Sequence, residues 1–347
     1  MTASDAPDSA LGALLSVPPP VLAPDVLLRH LQQGWGLAGQ LSPLTSERDL
    51  NHRLTTDQGT YLVKLTNPAE PEAMTDFQTR AFLHVAAADP GVPVARLIPP
   101  SGSGLWRVLP EGRLRVFSWL EGTPVHALPR SDTLSANAGA ALARLTRALA
   151  DFSHPASDHV LLWDIKQAPR LAPLLPALTD PALRAEARAF VADFTARISP
   201  QLRHMPTQVC HSDLNPHNVL ASAADPAQIS GILDFGDMVL TPRICDLAVA
   251  LAYQVDPARP QDSLCAFLSG YARHQTVTAA EVALLFDLIT ARMFTTLAIA
   301  GWRAARQPEN AAYILRNAPS ARAGLAAFRA LGAGPATEAF ARALHLT

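Results

Sequence analysis

Cysteine is scarce in this chain: Cys210, Cys245 and Cys265 are the only three among 347 residues. None sits in a CxxC pair, and three thiols cannot staple a chain of this length. A disulfide scaffold is therefore excluded, and buried thiols in a reducing compartment are expected. Charge is thin as well. Charged residues make up 17%, and 28 Lys and Arg nearly balance 30 Asp and Glu, for a net charge of −2. A broad nucleic-acid footprint needs a basic surface, so nucleic acid is not an expected partner. The opening MTASDAPDSALGALLSVPPP lacks a basic n-region, and its short apolar run is broken at Pro18, Pro19 and Pro20. That is not the pattern of a signal peptide. The apolar stretch 282–302 contains Asp287 and Arg292, so it reads as a buried helix and not a membrane span. No repeat or low-complexity tract is present. A cytoplasmic protein without a membrane partner is expected.

Hydrophobic residues, in contrast, reach 49%, ample for a sizeable core, and the length suits about two domains or lobes. Residues 1–23 read as a flexible leader, because proline and small polar residues dominate. A helix follows over 24–34, with Pro24 in its first turn and Gly34 at its end. Within 46–66, two strand-like runs flank the turn chemistry of 57–59, so a hairpin with Lys64 in its second strand is expected. Met74, Phe77, Ala81 and Val85 share one face of a helix over 71–87. Two further strands are expected at 105–109 and 114–120, and 121–124 carries a turn signal that suits a lobe boundary. Beyond 130 the periodicity is helical: 131–151 with Ser131 or Asp132 as cap, about 180–197, and most of 244–343. Two short β-like runs, 207–211 and 229–235, interrupt it. The fold class is α+β, with a small β-rich lobe over 24–120 carrying one main helix and a larger, mostly helical lobe over 121–347. This is not the strand–helix alternation of a doubly wound sheet.

The segment 209–237, VCHSDLNPHNVLASAADPAQISGILDFGD, carries the chemistry. Asp213 closes an HxD, Asn218 follows five residues later, and Asp234 opens a DFG at the end of what reads as the antiparallel partner strand. Phosphoryl transfer needs a hydroxyl nucleophile, a carboxylate beside it, and Mg²⁺ to neutralise phosphate charge. Asp213 suits the carboxylate. Asn218 and Asp234 offer the amide and carboxylate oxygens that Mg²⁺ prefers. His211 is expected to pack and hold the loop, and His217 to lie exposed on it. The run His211, Asp213, His217 has no second His/Cys group nearby, so a zinc site is not expected. Lys64 stands where a kinase strand lysine would meet nucleotide phosphates. The segment 46–51 has no GxGxxG, so backbone N–H groups and the Ser46 hydroxyl would have to cover the phosphates.

These residues resemble the aminoglycoside phosphotransferase and choline kinase superfamily, with its protein-kinase-like two-lobe fold. Within it they are most similar to the hydroxylysine kinase-like branch, through SERDLNHRL (46–54), YLVKLTN (61–67), FSHPASDHVLLWDIKQAP (152–169) and GILDFGDMVLTPRICDLAVALAY (231–253). The resemblance implies that Asp213 positions or deprotonates the acceptor hydroxyl. It implies that Asn218 and Asp234 bind Mg²⁺ and that Lys64 contacts the phosphates of ATP or GTP. The hinge segment 117–121, with Trp119 and Leu120, would bind the purine through backbone groups, and Asp246 would steady the catalytic loop. The helix residue that pairs with the lysine is usually glutamate. Here Gln78 stands at that place, with Glu72 as the alternative, and a neutral amide makes a weaker clamp.

The acceptor is expected to be a small hydroxylated molecule bearing an amine: an amino alcohol or a hydroxy amino acid such as hydroxylysine. Asp237 would meet the ammonium group. Arg292 would hold a carboxylate bidentately or form an internal ion pair. Trp163 and Trp302 line a pocket or fill core. Alternatives are an aminoglycoside-, choline- or homoserine-type phosphotransferase and a catalytically silent nucleotide-binding regulator. A protein kinase is disfavoured, because no APE-type segment or long activation loop follows Asp234.

Overall fold

A computed structural model of the chain describes residues 17–46 and 48–346. Of the expected leader, residues 1–16 lie outside the described residues. The rest is not loose: the Pro18 carbonyl accepts from Asn67 Nδ2 at 2.9 Å, and Leu22 packs on the core. The chain divides into two compact units. One runs to Glu121 and includes His154–Ala156; the other holds Gly122–Ser153 and the chain from Ser157 onward.

In the first unit, helix α1 (Pro24–Trp35) precedes strands β1 (Gln40–Leu44), β2 (Leu50–Thr56) and β3 (Gly59–Thr66). Helix α2 (Glu72–Ala88) and strands β4 (Leu97–Ile98), β5 (Arg107–Leu109) and β6 (Gly112–Ser118) follow. The sheet order is β1-β2-β3-β6-β4, with β5 on β6, and every pairing is antiparallel. Alternation sorts its two faces. Val63, Leu65, Leu114 and Val116 join Leu27 and Leu31 of α1 in one buried cluster. Phe117 and Leu62 turn the other way, where Phe82 of α2 packs against Phe117. Lys64 and Arg115 lie opposite one another in the β3–β6 register, so both side chains fall on the α2 face. β1 and β4 were not expected. Pro43 breaks the apparent pattern of β1, and a proline is tolerated there because β1 is an edge strand.

The second unit opens with β7 (Thr123–Pro124) and α3 (Asp132–Ala148), which Ser131 caps as expected. Residues Ile165–Ala177 form a 3₁₀ stretch where no element was expected, and Pro169, Pro173 and Pro176 interrupt α-type bonding within it. Helix α4 (Pro181–Asp193) starts on the Asp180 cap. Four short strands come next: β8 (Thr207–Cys210), β9 (Val219–Ala221), β10 (Ile229–Ile232) and β11 (Val239–Pro242). Here the expected pairing is corrected. The runs at 207–211 and 229–235 are not partners; β8 pairs with β11, and β10 pairs with β9, which in turn meets β7. The two ladders matter for the site, because loop 211–218 and turn 233–238 both run from one ladder to the other.

Helices α5 (Arg243–Gln254), α6 (Pro260–Tyr271), α7 (Ala279–Arg306), α8 (Ala318–Leu331) and α9 (Ala333–Ala343) complete the unit. Gly139 of α3 and Gly270 of α6 permit a close crossing. An added Cβ would meet the Phe267 carbonyl oxygen at 2.1 Å or the Ala136 carbonyl oxygen at 1.7 Å. Helix α7 begins with a Thr278–Glu281 capping box. It is long and apolar enough to cross a membrane, but 83% of its most apolar window is buried inside the fold. It is the core helix of this unit and carries Arg292 at its middle.

Candidate active site

The loop between β8 and β9 is built around Asp213. His211 is fully buried, and its Nε2–H donates to the Leu233 carbonyl at 2.9 Å. Its Nδ1 accepts the Asp213 N–H at 3.3 Å. These partners assign the neutral Nε2–H tautomer, so the ring ties the loop to the Asp234 turn and is not poised as a base. Phe235 packs edge-on against it at 5.0 Å. Ser212 adopts φ 64°, unusual for a residue with a Cβ. Asp246 of α5 holds it there by accepting the Ser212 N–H at 2.8 Å. Burial raises the Asp246 pKa. Its expected part in steadying the loop is what these contacts perform.

The Asp213 carboxylate is held on both oxygens. Oδ1 accepts from Arg292 Nη2 at 2.9 Å, and Oδ2 accepts from Asn215 Nδ2 at 2.9 Å and Asn218 Nδ2 at 2.8 Å. A carboxylate offers about four lone pairs. Three are used, and the fourth remains on Oδ1. Burial pushes the Asp213 pKa up to about 7; Arg292 works against this, while Asp237 and Asp234 add to it. Asn218 also donates to the Asp213 carbonyl at 3.0 Å. With its nitrogen committed twice, its amide oxygen is the end left for a cation.

Asp234 sits at φ 59°, a second left-handed residue that is not glycine, and its Oδ1 accepts the Gly236 N–H at 3.0 Å. Such backbone is held at a cost of about 1–3 kcal/mol and gathers at functional sites. Asp234 is exposed, whereas Asp213 is not. Asp237 closes the same turn and acts electrostatically on both Asp213 and Arg292. Three carboxylates against one guanidinium leave an excess of negative charge. Among the described residues no three His, Cys, Asp or Glu converge as a metal cage. The oxygen donors Asn218 and Asp234 nevertheless fit a hard divalent ion that takes its remaining ligands from phosphate and water.

Arg292 has both terminal nitrogens committed. Besides Asp213, Nη2 donates to the Tyr253 hydroxyl at 3.0 Å, and Nη1 donates to the Trp163 carbonyl at 3.1 Å. The guanidinium also lies over the Trp163 and Tyr253 rings, at 5.1 and 5.4 Å. Burial opposes its charge, yet Tyr253 and Asp213 hold its pKa above the ordinary value. The expectation of a bidentate grip on a substrate carboxylate is corrected: Arg292 is the buried ion-pair partner of Asp213. Trp163 is part of that cage, whereas Trp302 lies under Arg306 at 4.1 Å.

The first unit carries the other candidate residues. Lys64 Nζ meets neither Gln78 nor Glu72; it pairs with Asp49 Oδ2 at 2.5 Å. Gln78 bridges Glu70 and Arg115, both at 3.4 Å, and Glu72 is exposed. Arg115 is fully buried and donates to Thr79 Oγ1 at 2.9 Å and Thr66 Oγ1 at 2.8 Å. Burial lowers its pKa. Two cations thus face each other across β3 and β6; Asp49 pairs with Lys64, and Glu70 followed by Asp49 offsets Arg115. Burial tends to raise the Asp49 pKa, but Lys64, the Asn67 N–H and Arg115 outweigh it and hold it below the ordinary range. Ser46 Oγ accepts the Asp49 N–H at 3.2 Å, so it shapes the turn that presents Asp49. In the hinge segment the Trp119 N–H is spent on the Thr60 carbonyl at 3.3 Å, and Arg53 lies over the indole at 5.0 Å. The Trp119 N–H is therefore not open to a purine. Leu120, whose side chain packs beside Phe117, makes no backbone hydrogen bond among the described residues.

Residues 40–284 match the model of the APH phosphotransferase enzyme family. The chain belongs to that family. Relatives support the same reading. Hydroxylysine kinase from Mus musculus is 26% identical over 309 residues, covering 80% of this chain and 81% of the relative. A microcompartment-associated aminopropanol kinase superposes with a TM-score of 0.65 at 16% identity, covering 91% of this chain and 99% of that one. Amicoumacin kinase hAmiN in complex with AMP-PNP, Ca²⁺ and Ami superposes with a TM-score of 0.63 at 14% identity, covering 86% and 94%. The expected family and the protein-kinase-like fold are borne out. The chain is a phosphotransferase, a small-molecule kinase acting on a hydroxyl acceptor.

Asn215, Asp49, Arg115 and Tyr253 escaped the sequence reading. Asn215 and Tyr253 carry no motif of their own. Yet Asn215 lies inside the run 211–218 that carries the chemistry, and Asp49 and Tyr253 lie inside the segments 46–54 and 231–253 that the family resemblance rests on. A charged residue between apolar strand neighbours was the available signal for Arg115.

Proposed function

We propose that this phosphotransferase moves the γ-phosphate of ATP or GTP to the hydroxyl of an amino alcohol or hydroxy amino acid of the hydroxylysine kind, in the cytoplasm. The observation that carries the proposal is the remaining lone pair on Asp213 Oδ1, next to a guanidinium that fixes the carboxylate's direction. The acceptor hydroxyl donates to that oxygen and passes it the proton as phosphoryl transfer proceeds. Asn215 and Asn218 keep Oδ2 occupied, so Asp213 cannot swing away. Mg²⁺, when bound at Asn218 and Asp234, neutralises charge on the phosphate oxygens. Lys64, Ser46 and the Leu120 N–H serve the nucleotide: the lysine its phosphates, the hydroxyl the phosphate-covering turn, the backbone its purine.

The test is release of nucleoside diphosphate from ATP and GTP with a panel of alcohols, amino alcohols and hydroxy amino acids. Amine-bearing acceptors should be used and amine-free ones poorly. Asp237→Asn should raise the KM for amine-bearing acceptors about ten- to a hundredfold and spare the KM for nucleotide, as expected for a lost charge-assisted partner. Amine-free alcohols used equally well would remove Asp237 from recognition. Nucleotide binding without transfer to any acceptor would favour the silent regulator.

A second expectation concerns Asp49. Asp49→Asn removes the ion-pair partner of Lys64 and leaves Arg115 with Glu70 as its remaining anion. A loss of about 2–3 kcal/mol is expected, read by urea unfolding. The double variant Asp49→Asn/Lys64→Met should lose less than the sum of the single changes, because the unpaired lysine goes with its partner. Strict additivity would show that the pair is not energetically coupled.

A further inference from the structure

A cavity of about 310 Å³ lies beside the catalytic loop, wholly within the second unit. Arg292 and Tyr253 form one wall, and that wall leads to Asp213, whose Oδ1 is 2.9 Å from Arg292 Nη2. The cavity's lining is one-signed. Arg130, Arg292 and Arg316 supply the charge, and the His126 and His217 rings add polar nitrogens. Burial, with His126 and Arg316, holds the His217 pKa below the ordinary value. No Asp or Glu lines the cavity among the described residues. Since acidic residues outnumber basic ones in the whole chain, a lining of this kind is a local feature and not a reflection of composition.

The basic groups are held in place. Arg130 Nη1 donates to the Gln254 and Val255 carbonyls at 3.0 and 3.2 Å. Arg316 donates to the Tyr313 carbonyl at 3.1 Å and stacks on that ring at 3.8 Å. The imidazoles of His126 and His217 stack with centroids 4.0 Å apart, and His217, expected to be exposed, is half-buried. Asn317, Ser320 and Ala321 also line the cavity and bring the N-terminus of α8, a 14-residue helix, to the same wall. The first N–H groups of α8 do not serve an anion, because Ala318 donates to the Leu315 carbonyl at 2.9 Å and Pro319 has none, but guanidinium groups grip carboxylates well.

We propose that this cavity receives the body of the acceptor and that its rim, with the guanidinium groups of Arg130 and Arg316 beside the His126 and His217 rings, binds an acceptor carboxylate. The enzyme is then selective for hydroxy amino acids over simple amino alcohols. The proposal rests on the phosphotransfer reading and deepens it. Asp237 and Asp213 take the amine and hydroxyl end, and the carboxylate lies at the opposite, positively charged end. A substrate with charges at both ends is thereby sorted into one orientation, and the hydroxyl arrives at Asp213.

The experiment compares 5-hydroxylysine, homoserine and threonine with their carboxamides, and 5-hydroxylysine with 1,5-diaminopentan-2-ol, its carboxylate-free counterpart. Initial rates and calorimetric binding are both measured. For the best amino acid, the wild type should show kcat/KM about 10–100-fold above the carboxamide, chiefly through KM. Arg316→Gln and Arg130→Gln should each lower kcat/KM for the amino acid about tenfold and the carboxamide's much less, so that the discrimination shrinks. Equal use of acid and amide by the wild type would overturn the carboxylate site while leaving phosphotransfer intact. Equal losses on both in the variants would do the same. If no acceptor turns over, the phosphotransfer reading fails by itself. Binding then decides the rim: preference for the acids over the amides supports it, and no binding of either series overturns it.

Discussion

Asp213→Asn is expected to lower kcat by about 10²–10⁴-fold, the range for loss of a general base, while nucleotide affinity stays close to that of the wild type. The amide preserves the shape of the side chain but has no anionic oxygen with which to take the acceptor's proton. It also faces Asn215, Asn218 and Arg292, all of which donate to the wild-type carboxylate, so one amide end meets a donor. The pH profile carries a separate signature. With the Asp213 pKa pushed up to about 7 by burial and by Asp237 and Asp234, kcat/KM should rise with pH through neutrality as the carboxylate ionises. Arg292 is the group that pulls this pKa down, so Arg292→Met should move the rising limb to higher pH. Stability has the opposite slope. The folded chain retains a proton that the unfolded chain has released between the ordinary carboxylate pKa and about 7. This contribution is present below that window and is lost as pH rises through it; Asp213→Asn should flatten it. Turnover like that of the wild type in Asp213→Asn, measured as diphosphate release, would remove this residue from the mechanism.

Local signals carried most of the fold into the sequence reading. The turn at 57–59, the Ser131 cap and the helical periodicity of 282–302 each depend on a few neighbouring residues, and α3, α7 and the β2–β3 hairpin stand where they imply. Long-range pairing was less legible. β8 meets β11, a four-residue strand ending in Pro242, and so short a run has no periodicity to read. The site divides in the same way. Asp213, Asn218 and Asp234 were visible because their spacing is a motif. Lys64 was visible, but its partner was not. The helix position that usually supplies a carboxylate holds Gln78, and the compensating Asp49 reaches Lys64 from the turn before β2. Arg115, a second buried cation opposite Lys64, is offset by Glu70 and then by Asp49, so the two cations draw on two carboxylates from outside the helix position that Gln78 fills. Likewise, His126 and His217 are far apart in sequence and meet only once the chain is folded.

Asp234→Ala is expected to abolish productive binding of the metal–nucleotide pair, and Asn218→Ala to weaken it by a smaller factor. A divalent ion gains more from a carboxylate than from an amide oxygen, and Asp234 is exposed, whereas Asp213 is engaged by three protein donors. The Asn218 variant has a second consequence that the Asp234 variant lacks. Its side-chain nitrogen donates both to Asp213 Oδ2 and to the Asp213 carbonyl, so the alanine loosens the catalytic carboxylate as well as the metal. Asn218→Ala should therefore lower kcat even at saturating Mg²⁺, whereas excess Mg²⁺ should not restore Asp234→Ala at all. Titration of activity with Mg²⁺ at fixed ATP or GTP, together with calorimetric nucleotide binding in its presence and absence, separates the two effects. An unchanged Mg²⁺ requirement in Asp234→Ala would contradict its place as a ligand. Full rescue of Asn218→Ala by Mg²⁺ would show that the amide serves the metal alone and that Asn215 with Arg292 is enough to orient Asp213.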